Sequence, residues 1–116
     1  MFDFGRPEDT AELYWNISTS RRGPYIPDCH YEEMDLKELK DFFTYIYMTL
    51  SDALRDNASE DVIEVITAYY DEVFQYLASV DQGFRRVVAS GKHHYLPNRK
   101  EKTVRKYKKL AGLWSD

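Results

Sequence analysis

Apolar residues recur at spacings of three and four along two long stretches of the chain, which predicts two amphipathic helices. In the first, Leu36, Leu39, Phe43, Ile46, Leu50 and Ala53 keep one side apolar, and Phe42, Tyr45, Tyr47 and Leu54 widen the stripe. Asp35 precedes it as an N-cap, with Glu38 three residues on as in a capping box. A helix over about 35–56 is expected, ended by Asp56-Asn57. In the second, capped by Ser59, Val62, Ile66, Tyr69, Val73, Tyr76 and Val80 step by four and three, broadened by Ile63, Tyr70, Phe74 and Leu77. The short loop between them predicts an antiparallel αα-hairpin as the centre of the fold.

Weaker patterns flank this hairpin. Pro7 with Glu8, Asp9 and Glu12 reads as a first helical turn, where a missing N–H costs nothing and acids meet the positive end of the helix dipole. Leu13, Tyr14 and Ile17 supply the apolar face of a helix at about 7–18. Ser18 to Asp28, with Gly23-Pro24 and Pro27, reads as a loop. After the hairpin, Gly83 interrupts the pattern as a candidate hinge, and Phe84, Val87, Val88 and Ala89 suggest a short helix ending at Gly91. His93 to Pro97 is a second loop. Asn98, with Glu101 at the capping-box position, opens a last helix whose Val104, Tyr107, Leu110, Ala111 and Trp114 share a face. The fold class expected is all-α: one helical domain over residues 1–116, with a short N-terminal helix packed across the hairpin and a basic helix at the end.

Charge sharpens this picture. Residues 1–83 carry 6 Lys+Arg against 18 Asp+Glu, a local net of −12. Residues 84–116 carry 10 against 2, a local net of +8. The overall −4 thus hides an acidic body and a basic end, which implies two electrostatic faces with different partners, or one folded on the other. An apolar share of 43% with 16% aromatics excludes a disordered chain. Ten tyrosines, each a large ring with a hydroxyl to satisfy, suit half-buried seams, and tyrosine-rich helices make a homodimer one candidate assembly. A single cysteine, Cys29, excludes an internal disulfide framework. No basic n-region with an apolar run opens the chain, and no stretch has the roughly 18 apolar residues of a membrane span. A cytoplasmic setting follows as the default expectation.

The basic end is the first candidate site. Arg85, Arg86, Lys92, Arg99, Lys100, Lys102, Arg105, Lys106, Lys108 and Lys109 could release counterions from a phosphate backbone. Tyr95, Tyr107 and Trp114 are interleaved with them and could stack on bases. The same pattern fits a solvated or self-docked helix, an acidic protein partner or a membrane surface. Arg85-Arg86 equally fits a cap on the negative end of the preceding long helix.

The acidic body is the second. Asp52, Asp56, Glu60, Asp61, Glu64, Asp71 and Glu72, with Glu38 and Asp41, line the polar sides of the two long helices. Such a surface can imitate a phosphate backbone and meet a basic partner, or simply maintain solubility. Cys29-His30 and His93-His94 have a metal-like composition, but no C-x-x-C or H-x-x-x-H spacing, so neither metal nor cofactor is expected. Gly-rich phosphate loops, G-x-S-x-G elbows and H-E-x-x-H helices are missing, so a non-enzymatic role is expected.

Two functions are carried forward. One is a small regulatory protein acting in a nucleic-acid-associated process through the basic helix. The other is an inhibitor that occupies a host protein's basic groove with its acidic helices. Small size, one cysteine, no catalytic motif and bipolar charge resemble in general character the accessory or inhibitory proteins of phages and mobile elements.

Overall fold

The computed structural model of the chain describes residues 6–19, 26–90 and 101–110. Among these residues five helices follow one another: α1 (Pro7–Thr19), α2 (Leu36–Arg55), α3 (Glu60–Val80), α4 (Gln82–Ala89) and α5 (Glu101–Leu110), with 3₁₀ turns at Ile26–Asp28 and Tyr31–Glu33 before α2. The fold is an all-α bundle, and no strand occurs among the described residues.

The hairpin of α2 and α3 is its centre. Asp35 accepts a hydrogen bond from the Glu38 N–H at 2.8 Å, and Ser59 Oγ accepts one from the Val62 N–H at 3.4 Å, so both long helices begin on the expected caps. That hydrogen bond also holds the Asp35 carboxyl below its ordinary range. The reversal between the helices is a Schellman motif. Asn57, with φ of 56°, donates to the Leu54 carbonyl at 3.2 Å, and Ala58 donates to the Ala53 carbonyl at 3.0 Å. Asparagine, like aspartate, tolerates this left-handed position better than other residues with a side chain, because its short polar group hydrogen-bonds locally.

Which apolar residues face the core differs from the pattern most in α1 and α3, and at the two ends of α2 Leu36 and Leu54 are exposed as well. In α1 the buried pair is Ala11 and Trp15, whereas Leu13 and Ile17, expected as the apolar face, are 37% and 66% exposed. Trp15 packs edge-on against Phe42 and Tyr45 of α2, at 5.6 and 6.5 Å between ring centroids. The largest ring sets the rotation of a short helix because it has the most surface to remove from water. In α3 the buried line is Val62, Ile66, Tyr70, Val73, Phe74, Leu77 and Ala78. Tyr69 and Tyr76 are only half-buried and Val80 is half exposed, so the stripe is rotated toward the broader side. Helix α1 also runs past Ser18, into the segment read as loop.

The α3–α4 corner is set by Asp81 rather than by a hinge at Gly83. Asp81 accepts from the Gly83 N–H at 3.0 Å and caps α4, while its Oδ2 lies 3.1 Å from Lys40 Nζ of α2. Gly83 itself sits inside the first turn of α4. Phe84 then turns inward onto Phe43 and Phe74, 5.5 and 5.0 Å away. Helix α5 lies against α3 and α4. The expected Asn98 cap and the loop of residues 93–97 lie outside the described residues.

Candidate functional site

Helix α5 is fixed to the body by Tyr107. Its ring is 2% exposed and sits among Tyr70 and Phe74 of α3, at centroid distances of 5.3 and 4.9 Å. Leu110, one turn later, is half-buried against the same core. This corrects one expectation: Tyr107 is a core residue, not an exposed stacking platform, because its ring fills the gap beside Phe74. Burial and the neighbouring Asp71 carboxylate push its phenol well above the usual tyrosine range, and burial does the same to Tyr70.

With Tyr107 pointing inward, the cations of α5 turn outward. Arg105, Lys106 and Lys109 are exposed and Lys108 is half-buried. Helix α4 adds Arg86, exposed, and Arg85, half-buried, which with Gln82 and Ala89 line an open hollow of about 200 Å³. These six cations lie on two adjoining helices, which hold seven of the expected cations in all. Lys102 falls within α5. Lys92, Tyr95, Arg99, Lys100 and Trp114 lie outside the described residues.

One cation of this face is tied to the acidic body: Lys106 Nζ lies 3.1 Å from Asp71 Oδ2 of α3. The Asp71 side chain is 22% exposed, and its Oδ1 is buried without a well-formed hydrogen bond among the described residues, beside the Tyr107 phenol. The two electrostatic halves of the chain thus meet at a defined point.

The acidic residues divide into three groups. Asp52 pairs with Arg55 at 3.2 Å and Asp56 accepts a hydrogen bond from the Tyr14 hydroxyl at 3.2 Å, so both have partners at the α2 end. Glu60 and Asp61 occupy the first turn of α3, where the helix dipole favours them, and Glu64 is exposed one turn on. Glu72 belongs to a third set that the chain order does not reveal. Burial, together with the negative charge of Glu8 of α1, Glu72 of α3 and Asp28 of the first 3₁₀ turn, pushes the Tyr69 phenol above the usual tyrosine range. Tyr31 is pushed up to about 12 by burial, by a hydrogen bond to Glu72 and by further negative charge nearby. Its ring meets that of Tyr76 edge-on at 5.4 Å, and the Tyr76 hydroxyl donates to the Glu32 carbonyl at 3.3 Å. A carboxylate-rimmed face with half-buried tyrosines results, built from three elements far apart in sequence.

The tyrosine excess is mostly spent inside. Of the eight described tyrosines none is exposed: Tyr70 and Tyr107 are buried, and Tyr14, Tyr31, Tyr45, Tyr47, Tyr69 and Tyr76 are half-buried. Cys29 is half-buried and packs on the core, and His30 beside it is exposed. His93 and His94 lie outside the described residues. Among the described residues, no three His, Cys, Asp or Glu side chains group as a metal site would require, and no helix is long and apolar enough to cross a membrane.

Comparison with protein families, curated proteins and solved structures gave no match.

Proposed function

We propose that this is a non-enzymatic binding protein of the cytoplasm that contacts nucleic acid through the cationic face of α5, extended by Arg85 and Arg86 of α4. One observation carries the reading: Tyr107 is buried and Leu110 half-buried against the core, while Arg105, Lys106 and Lys109 stay exposed. Several cations on a docked helix can contact phosphates without reading bases, so sequence-independent, salt-sensitive binding is expected. Duplex and single-stranded DNA and RNA are titrated with the protein across salt. Affinity at about 50 mM salt that falls linearly on a log–log plot supports the reading, and no affinity at that salt removes it. Replacing Arg86, Arg105 and Lys109 by Ala weakens binding alike for all sequences.

The convergence of Glu8, Asp28 and Glu72 on one face favours a second reading, in which that face imitates a phosphate backbone and fills a partner's basic groove. Charge reversal at Glu8 and Glu72 then abolishes capture of the partner, while capture that survives both reversals sinks it.

A further inference from the structure

We propose that Asp71 is a built-in competitor for the phosphate that α5 would take at Lys106, so that the basic end is held partly neutralised until a polyanion displaces the carboxylate. This rests on the nucleic-acid reading of that face. The pair joins α5 to α3, as Lys40–Asp81 joins α2 to the start of α4, whereas the pairs Arg6–Asp9 and Arg55–Asp52 are local, three residues apart on exposed surface.

Its two partners are unequally held. Asp71 is mostly buried on a long helix, with one oxygen desolvated. Lys106 is 48% exposed at its side chain and carries its ammonium on a flexible stem, so it can exchange the carboxylate for an incoming phosphate while Tyr107 stays seated. The contact therefore regulates charge rather than position: α5 remains docked and gains one usable cation. Arg86 on α4 makes no ion pair among the described residues and needs no such release.

The test uses the full chain, a short mixed-sequence DNA duplex and heparin, a polyanion without bases. Asp71→Asn is expected to tighten binding of both about fivefold at low salt and to steepen the salt slope by about one contact, while Asp71→Glu keeps wild-type behaviour. In Asp71→Asn/Lys106→Gln the gain disappears. A gain that persists in the double variant overturns the proposal, because Lys106 would then not be its source, and so does an equal gain from Glu60→Gln, which makes the same net-charge change in the first turn of α3. Equal affinity of wild type and Asp71→Asn for the duplex also overturns it, and leaves the nucleic-acid reading standing. Heparin binding acquired by Asp71→Asn in a protein that ignores the duplex removes the nucleic-acid reading and overturns the proposal with it. Silence of both proteins toward both polyanions removes both. Circular dichroism confirms folding, and Asp71→Ala serves as a second neutral variant.

Discussion

The Tyr107 ring lies 4.9 Å from the Phe74 ring, tilted by 51°, and this contact joins the last described helix to the hairpin. A ten-residue helix is marginal on its own in water, so α5 depends on that seat. Tyr107→Ala is expected to remove about 3–5 kcal/mol of attachment, the usual cost of truncating a buried aromatic ring. Amide hydrogen exchange is expected to show α5 losing protection while α2 and α3 retain theirs. Uniform loss across all helices contradicts this.

Asp81 combines two contacts at one corner, the Gly83 N–H at 3.0 Å and Lys40 at 3.1 Å, with its side chain 10% exposed. Asp81→Ala is expected to cost about 2–3 kcal/mol, about 1 of it from the lost cap. Asp81→Asn keeps an acceptor for the cap and loses less. Urea unfolding of Asp81→Ala, Lys40→Ala and the double variant is expected to be non-additive, since the two groups share one interaction.

Asn57 holds the left-handed position of the Schellman motif. Asn57→Val is expected to cost about 1–2 kcal/mol, because a β-branched side chain crowds its own carbonyl there. Asn57→Gly is expected to fall within about 0.5 kcal/mol of wild type, as glycine accepts that conformation at no steric cost but loosens the unfolded chain. Calorimetry on both variants separates backbone strain from side-chain contacts.

Alkaline conditions probe the buried phenols. Tyr70 and Tyr107 both have their ionisation raised by burial, so the folded chain retains protons that the unfolded chain releases above about pH 10. Their contribution is complete below that pH and is lost as pH rises further, since stability falls wherever the native state binds more protons. Phenolate absorbance and helix signal followed together are expected to show these two rings titrating only as the helices melt. Ionisation of all tyrosines in an intact fold contradicts this.

Much of this architecture was legible in the chain. Asp35, Ser59 and Asp56-Asn57 marked the hairpin correctly because caps and turns are governed by neighbours in sequence. Orientation was harder. In α1, Ala11/Trp15 and Leu13/Ile17 are alternative i, i+4 pairs, and only the docking of Trp15 on Phe42 decides between them. Asp81 stood next to Val80 as an available cap, but Gly83 drew the break two residues late. In the basic end, spacing placed Tyr107 on the apolar side of its helix, while its neighbours' charges suggested base stacking. Periodicity was the better guide. The pairing of Lys106 with Asp71 and the gathering of Glu8, Asp28 and Glu72 around Tyr69 have no sequence signature, because each depends on how separate helices are laid side by side.

The seat that receives Tyr107 is made by α3 and its neighbour α4, both earlier in the chain than α5. Hairpin contacts close over a short loop and so form at low entropic cost, whereas α5 must wait for a finished platform. Assembly therefore has a direction: the acidic bundle matures as a nucleus, and the cationic helix is the last piece to arrive on it. During synthesis, the strongly acidic half emerges from the ribosome ahead of the strongly basic helix whose seat it builds.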